Sequence, residues 1–383
     1  MERERVSLAR CEDYKPGNVR ESVSRAFELL GGVESVVSPG DSVFVKTNSV
    51  IAAEPDSGVV TNPVVARAVI EELKKVTSRI TVGDSPGGPF NQTLLKRVYE
   101  KTGVAEVARE TGVELALDTR TVDVPFPDGR AVKRLTLCKA MVEADRLISV
   151  SKLKAHRFMN VTGPIKNLYG TVPGTTKFVY HSRFEEFTDF AQLVLDVHLA
   201  SRPAFHVLDA VEVLEGGGSK HGTKRKMKFV AAGRNAFALE ALMMELIGVG
   251  PDEARLLSVS TGRGLCPAGS DWFDVLGDDV EELRDPDYEL PERNFFSERV
   301  PALIAGRFSR FFTEIPSPRP DICTGCGKCA EACPKKAITI RNGLPVVDPR
   351  KCIRCYCCDE LCERQAMGAK RPALARILHP FSG

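Results

Sequence analysis

The 383-residue sequence lacks a long apolar run and lacks any strong excess of one charge. No stretch approaches the ~20 consecutive apolar residues that cross a bilayer, and no secretory signal segment follows the N-terminus. We therefore expect a cytoplasmic protein, in which thiols stay reduced. Lys and Arg number 53 and Asp and Glu number 51, so the net charge of +2 gives no reason to expect nucleic acid as a partner.

Several short motifs of nucleotide-dependent and hydrolytic enzymes are also missing. No G-x-G-x-x-G follows a predicted strand and no Walker-type loop occurs, so neither NAD(P) nor ATP is implied. The sequence contains no G-x-S-x-G elbow and no H-E-x-x-H pair, which leaves little support for a serine hydrolase or a mononuclear zinc enzyme. A flavin site stays open, because flavin sites often lack a short motif.

Cysteine is what the sequence has in excess. Nine of the 12 cysteines fall between Cys323 and Cys362, and the others are Cys11, Cys138 and Cys266. In a reducing compartment, cysteines clustered in this way indicate a metal site rather than disulfides. The remaining composition, with 43% hydrophobic and 27% charged residues, is that of a globular protein, and the length predicts two or three domains.

The cysteine cluster consists of two copies of the spacing C-x2-C-x2-C-x3-C, offset by 29 residues. The first copy comprises Cys323, Cys326, Cys329 and Cys333, and the second comprises Cys352, Cys355, Cys358 and Cys362. Between them, Asn342-Gly343 flanked by apolar stretches predicts a β-hairpin. Over about 45 residues this segment resembles the bacterial two-cluster ferredoxin module.

In such a module three cysteines on a tight loop bind one cubane, and the fourth binds the other cubane. We therefore assign the ligands of two [4Fe-4S] clusters as Cys323, Cys326, Cys329 and Cys362 for one, and Cys352, Cys355, Cys358 and Cys333 for the other. Zinc also binds four cysteines, but it does not need this exchange of ligands between copies. Cys357 is interpreted as a thiol packed on a cluster, with competition for ligation as the alternative.

The rest of the chain alternates strand-like and helix-like segments, which predicts an α/β domain over residues 1–284. We expect a mostly parallel sheet with flanking helices and an inserted hairpin near residues 122–137. The Pro-rich residues 285–320 are predicted to be a linker, residues 321–370 a small α+β ferredoxin domain, and residues 371–383 a tail. An apolar and basic stretch at 299–312 is interpreted as a helix docked on the body, with a membrane-surface helix as the alternative.

Polar side chains follow four of the predicted strands. These are Lys46 and Asn48, then Asp84, then Lys152, Lys154 and His156, and finally Asp209. In an open α/β sheet the ligand crevice lies beyond the carboxyl ends of the strands, so we expect these groups to surround a substrate. Taken singly, each is as readily explained by a turn, a cap or a solvated surface.

A Gly-punctuated stretch at 163–170 adds further candidates. It contains Lys166 and Asn167, and Lys177 and His181 follow it, while Glu215 precedes a basic loop. Lysines near glycines suit an anionic group, because glycine allows close backbone approach. We predict the lysines and amides to bind substrate, together with Asp209 and Glu215. His156, His181 and Asp84 are the candidate proton donors.

At these residues the large domain resembles the domain of unknown function 362 family, often fused to a ferredoxin module. The shared segments are residues 45–48, 83–87, 152–156, 163–170 and 208–210 with 215–217, and the chain departs from the family pattern at Gly217 and Glu240. The resemblance implies an iron–sulfur protein with a redox role and with no settled substrate.

Three functions are consistent with the sequence. The first is an iron–sulfur oxidoreductase that passes electrons from two [4Fe-4S] clusters to a small anionic substrate in the α/β crevice. The second is a non-enzymatic electron-transfer or assembly protein whose large domain docks a partner. The third is a non-redox enzyme with structural clusters. The first two require an external electron donor or acceptor protein.

Overall fold

The structure is a computed structural model that describes residues 3–217, 221–250, 253–291 and 314–370. Its larger domain is built on a nine-stranded sheet. The strands up to residue 277 are β1 (Glu4–Arg10), β2 (Val43–Lys46), β3 (Ile80–Gly83), β4 (Glu114–Leu115), β5 (Thr121–Pro125), β6 (Arg134–Cys138), β7 (Arg146–His156), β8 (Asn160–Thr162), β9 (Phe205–Glu215), β10 (Thr223–Gly233) and β11 (Phe273–Gly277). Their order in the sheet is β11-β1-β10-β9-β7-β2-β3-β4, and β8 pairs with β7.

The sheet is mostly parallel, as the alternating pattern predicts. β2 pairs in parallel with both β3 and β7, and β7 pairs in parallel with β9. β10 is antiparallel to both of its neighbours. The inserted hairpin is also present, because β5 and β6 form a separate two-stranded sheet. The predicted α/β class is confirmed.

Helices cover both faces of this sheet. They are α1 (Pro16–Glu28), α2 (Pro63–Leu73), α3 (Gln92–Thr102), α4 (Val104–Thr111), α5 (Lys139–Val142), α6 (Pro164–Asn167), α7 (Thr176–Arg183), α8 (Phe187–Ser201), α9 (Ala236–Leu246), α10 (Arg255–Gly262) and α11 (Val280–Leu283). Alternate residues of β10 divide between two cores: Val230 packs with α1 to α4, and Phe229 packs with α9. Among the described residues no helix has the length and apolar character needed to cross a membrane.

Two strands run further than the sequence indicates. The predicted strands stop at Val150 and Leu208, whereas β7 continues to His156 and β9 to Glu215. Both continuations are buried almost throughout. The polar residues that were expected to follow the strands therefore lie within buried strands. The apolar sequence that begins at Phe184 does not start a helix at that residue, because α7 ends at Arg183 and α8 begins at Phe187.

The cysteine-rich domain repeats one small unit twice. Its elements are β12 (Ile315–Pro318), α12 (Lys328–Glu331), β13 (Ile338–Arg341), β14 (Leu344–Val347), α13 (Cys357–Glu360) and β15 (Met367–Lys370). β13 and β14 form the predicted hairpin, with positive φ at Asn342 and Gly343. β12 lies in the range predicted as linker and pairs with β15. The segments predicted at 299–312 and 371–383 lie outside the described residues.

Candidate functional site

A cavity of about 80 Å³ lies where β2, β3 and β7 end, and helix α13 of the cysteine-rich domain closes it. We call it the site cavity. It is lined by nine of the 12 predicted site residues outside the cysteines, namely Lys46, Asn48, Asp84, Lys154, His156, Lys166, Asn167, Lys177 and His181. The carboxyl edge of the sheet thus brings most of the predicted residues together, as expected for an open α/β sheet.

The inner wall of the cavity is a buried ion pair. Lys46 Nζ lies 2.8 Å from Asp84 Oδ1, and both side chains are almost fully buried. Asp84 also accepts hydrogen bonds from the backbone N–H groups of Ser49 and Ser85. A Cβ atom at Gly170 would stand 2.4 Å from Lys46 Nζ and 2.7 Å from Asp84 Oδ1, so a larger residue there would displace the ion pair. Because three donors from separate residues hold its two oxygens, Asp84 orders the wall.

A chain of amides links this pair to the next lysine. Lys46 donates to Asn167 Oδ1 at 3.3 Å, and Asn48 Nδ2 donates to the same oxygen at 3.1 Å. Lys154 Nζ in turn donates to Asn48 Oδ1 at 3.0 Å. Asn167 is fixed from behind by its donation to Ser149 Oγ. Two lysines from two strands are therefore linked through the side-chain amides of Asn48 and Asn167.

Lys166, at the end of α6, has a different environment. Its side chain borders the cavity, and within the described part of the chain it makes no hydrogen bond or ion pair. Burial lowers the pKa of Lys166, and the nearby carboxylate of Glu360 opposes that effect. An amine with no partner at a cavity wall is a group that can bind an anion.

His156 joins the two domains. Its Nδ1 accepts hydrogen bonds from the N–H groups of Phe158 and Met159, so the proton of the neutral ring lies on Nε2. Nε2 lies 2.6 Å from Glu360 Oε1. Burial, reinforced by the charge of Lys166, lowers the pKa of His156.

Glu360 is ionised in this arrangement. Burial acts to raise the pKa of Glu360, but His156 and Lys166 outweigh it and hold that pKa well below its usual range. At neutral pH the pair is therefore a neutral imidazole that donates to a carboxylate.

His181 and Lys177 complete the opposite wall. The His181 ring stacks on Phe190 with centroids 4.2 Å apart, and burial lowers its pKa to about 3. Its Nδ1 has no hydrogen-bond partner among the described residues. Lys177 Nζ donates to the backbone oxygen of Ser85 at 2.8 Å, and burial lowers the pKa of Lys177 to about 8. His181 is thus a neutral ring, and Lys177 ties α7 to the loop after β3.

Three predicted residues lie elsewhere. Lys152 pairs with Asp209 at 3.0 Å and contacts Tyr14, in a buried network that does not line the site cavity. Period-two alternation would put Lys152 and Lys154 on one face of β7, but the register with β9 shifts between them. Glu215 pairs with Arg225 at 2.6 Å.

The sequence reasoning missed the contribution of α13 to the cavity. Glu360 and Leu361 line it, together with Tyr169 and Phe178. A Cβ atom at Gly87 would lie 2.8 Å from Leu361 Cδ2, so Leu361 packs directly over the Gly-rich turn. The nearest signal in the sequence was Gly87 itself, because glycine often marks a close approach of another group.

The eight predicted ligand cysteines fall into two spatial groups. One cavity is lined by Cys323, Cys326, Cys329 and Cys362, and a second by Cys333, Cys352, Cys355 and Cys358. None of the eight forms a disulfide with a described residue. These are the two groups into which the spacing divides them, each with one cysteine exchanged between the copies. Cys357 also lines the second cavity and is buried.

The surroundings of these thiols fit cubane clusters. Cys333 Sγ accepts a hydrogen bond from Ala337 N at 3.2 Å, and Cys362 Sγ accepts one from Ala366 N at 3.1 Å. Backbone N–H groups directed at sulfur stabilise cluster thiolates. Within the described ranges, no three His, Cys, Asp or Glu side chains are grouped to hold a single metal ion.

The comparisons with known proteins divide the chain in the same way. Residues 43–245 match the family model "Domain of unknown function (DUF362)", and residues 316–339 match the model "4Fe-4S binding domain". The second match supports iron–sulfur electron transfer by the cysteine-rich domain.

Individual relatives match either most of the chain or the cysteine-rich part alone. The thylakoid-associated protein sll1697 of Synechocystis is 29% identical over 294 residues, which are 75% of this chain and 88% of that protein. One component of the Na⁺-translocating ferredoxin:NAD⁺ oxidoreductase complex of Acetobacterium woodii is 48% identical over 46 residues, which are 12% of this chain and 14% of that protein.

Among solved structures, the lactate racemase apoprotein of Thermoanaerobacterium thermosaccharolyticum aligns with a TM-score of 0.38 and 14% identity. The alignment covers 69% of this chain and 58% of that one. Since the first family model spans more than half of the sequence, the chain belongs to the DUF362 family.

Proposed function

We propose that this DUF362 protein is an oxidoreductase in which electrons pass through two [4Fe-4S] clusters to a small anionic substrate in the site cavity. The observation that carries the proposal is the position of α13. Glu360 and Leu361 line the cavity and lie in sequence between Cys358 of one ligand group and Cys362 of the other. A molecule in the cavity would therefore lie beside the segment that links both groups.

The charge of the cavity supports an anion. Four lysines but only two carboxylates, Asp84 and Glu360, are among its lining residues. Asp84 is paired with Lys46, and Glu360 accepts from His156. Lys166 therefore has a charge with which to bind the ligand. Phe178 and Leu361 give the cavity an apolar wall that would contact a short hydrocarbon part of the ligand. A small organic anion fits this combination better than a bare inorganic one.

When bound, the clusters supply one-electron transfers at low potential. A two-electron reduction of an organic group also takes up two protons, so the chain must hold protons near the substrate. Of the three candidate donors, Asp84 accepts three hydrogen bonds or ion contacts and is in no position to donate. We assign the donor role to His156 at the cavity wall, which would first take up a proton from solvent with the Glu360 carboxylate stabilising the protonated ring, and then return to the neutral ring when it gives that proton to the substrate.

A second candidate is an electron-transfer protein that passes electrons to a docked partner without turning over a small molecule. One observation favours it: most charged groups of the cavity are already paired with each other, as in a structural core. The two functions differ in what oxidises the reduced protein.

The test is an anaerobic titration of the chemically reduced protein with a panel of small organic anions, including 2-oxo acids. We expect at least one to restore the absorption of the oxidised clusters. In Lys166→Met the concentration that gives half-maximal reoxidation should rise about tenfold, because an ionic contact of about 1.4 kcal/mol is lost.

Lys96→Met serves as the matched control. Lys96 is exposed on α3, away from the cavity, and its replacement should leave the titration unchanged. Reoxidation by a partner protein and by none of the small anions would establish the second candidate instead.

A further inference from the structure

One of the two cysteine groups reaches the protein surface. Cys326 is exposed, whereas Cys358 of the other group is 6% exposed. The second copy of the repeat packs on the α/β domain, where Glu360 meets His156 and Asp359 meets His221. A protein that exchanges electrons with this chain could therefore come closer to the Cys323 group than to the Cys352 group.

The surface beside Cys326 is apolar. Four large hydrophobic side chains are exposed among the described residues. Three of them are in the cysteine-rich domain: Ile322, Ile340 and, on the opposite face of the hairpin from Ile340, Val346. Ile340 lines the same cavity as Cys326. Ile322 directly precedes the predicted ligand Cys323. Exposed apolar residues beside a redox site indicate a protein contact rather than random surface.

The same surface carries uncompensated positive charge. Arg364 lines the same cavity as Cys326, is exposed and forms no ion pair with any residue that the structure describes. The nearby carboxylate of Glu363 is neutralised twice, by Lys328 at 3.0 Å and by Arg97. An acidic partner would complement this charge, and such complementarity mainly accelerates association.

We propose that the surface formed by Cys326, Ile322, Ile340 and Arg364, the docking patch, receives an acidic electron-carrier protein. This rests on the proposed electron-transfer function and assigns its point of input. The carrier gives one electron to the cluster of the Cys323 group, so the carrier is oxidised by one electron and the cluster is reduced by one, with no bond made or broken.

The experiment uses the full-length, cluster-loaded protein and an acidic flavodoxin as the probe. The anionic flavin hydroquinone of flavodoxin loses one electron and becomes the neutral semiquinone, with no proton gained or lost, and the absorption of this semiquinone is distinct from that of the clusters. Stopped-flow mixing under anaerobic conditions at low ionic strength then gives the second-order rate constant. No substrate is needed, so the measurement is independent of turnover in the site cavity.

Ile340→Glu should lower this rate constant about tenfold or more, because it places a charge in the apolar centre and repels an acidic carrier. Arg364→Glu should lower it several-fold and weaken its dependence on salt. The control is Val346→Glu on the same hairpin. Val346 is paired with Thr339, on the face opposite Ile340, and is 45% exposed, so its rate constant should change less than about twofold.

Dithionite, a small reductant, should reduce all four proteins at the same rate. Equal slowing by Ile340→Glu and Val346→Glu, or no slowing by either, would overturn the docking patch. Failure of flavodoxin to reduce a wild-type protein that dithionite reduces would also overturn it. Normal transfer from flavodoxin without oxidation by any small anion would leave the docking patch supported and count against the proposed reductase.

Discussion

The two copies of the cysteine repeat share a backbone but face different surroundings. Positions 29 residues apart have the same left-handed conformation: φ is 65° at Gly325 and 56° at Arg354, and 79° at Gly327 and 57° at Tyr356. The first copy meets these angles with glycine, as expected. The second copy uses bulky residues at the same strained angles.

The side chains between the ligands differ most. Lys328 and Glu331 of the first copy are exposed, whereas their counterparts Cys357 and Glu360 face the interior and the site cavity. Binding a cubane constrains the backbone and the ligands, and the residues in between are set by what they contact. One repeat can therefore serve two purposes, a surface contact and a cavity wall.

Removing one cluster ligand from either copy should give the largest difference between the copies, in how firmly the two domains stay in contact. Both Cys355→Ala and Cys326→Ala should reduce iron to about four atoms per chain from about eight. Cys355→Ala should also loosen the domain contact, because its loop carries Tyr356, and the guanidinium of Arg157 from the α/β domain lies 5.7 Å from the centre of the Tyr356 ring.

Iron analysis and limited proteolysis measure these two effects. Cys355→Ala should be cleaved faster between the domains than Cys326→Ala. Equal protease resistance of the two variants would mean that the second copy does not hold the domains together.

Glycine positions in the first copy provide the next test. A Cβ atom at Gly325 would stand 2.4 Å from Gly343 O, whereas one at Gly327 would contact nothing within 4 Å. Gly325→Ala should therefore cost about 3 kcal/mol and Gly327→Ala about 1 kcal/mol, the latter from the positive φ alone. Anaerobic denaturant unfolding gives both values. Similar losses of unfolding free energy would show that the β13–β14 turn shifts at little cost to accommodate the added methyl group.

Replacing the two equivalent glutamates, Glu360 and Glu331, should change the free energy of unfolding by different amounts, because only Glu360 is in contact with the described part of the α/β domain. Glu360→Ala removes the acceptor of His156 and should cost about 2 kcal/mol, as for a hydrogen bond to a charged group. Glu331→Ala, the matched control at the equivalent position of the first copy, should change the free energy of unfolding by less than about 0.5 kcal/mol, because its side chain is exposed. Equal effects in thermal unfolding would contradict the contrast drawn between the copies.

The smallest effect concerns one hydroxyl. Tyr356→Phe removes the hydrogen bond to Glu314 and should cost about 1 kcal/mol. Tyr180→Phe is the control, since the Tyr180 hydroxyl has no hydrogen-bond partner in the described ranges, and its replacement should be close to neutral. A neutral result for both would mean that the hydrogen bond from the Tyr356 hydroxyl to Glu314 does not stabilise the cysteine-rich domain.

Local signals in the sequence predicted the elements that depend on local chemistry. Asn342-Gly343 gives the hairpin turn, with φ of 49° and 75°, and Asn62 caps α2 by accepting from Val64 N. Long-range effects were less accessible. β7 and β9 extend beyond their apolar centres because the residues around them bury both continuations, a property of the packed fold and not of the strand sequence.

The candidate site shows the same division. Lys46 and Asp84 follow neighbouring parallel strands, so their proximity could be anticipated from the alternating pattern. The separation of Lys152 from Lys154 could not, because it depends on a register shift against β9. Glu360 gave no signal as a cavity residue, since it lies in a different domain from its partner His156 and far from it in the chain.

The α/β class and the iron–sulfur character could be deduced from the sequence alone, because strand–helix alternation and cysteine spacing are local and periodic. The closure of the site cavity by α13 and the solvent exposure of the first cysteine group emerged with the tertiary structure. Both depend on how the two domains pack, through contacts such as His156 with Glu360 and Arg157 with Glu314. Such contacts join residues far apart in the chain, and no local pattern encodes them.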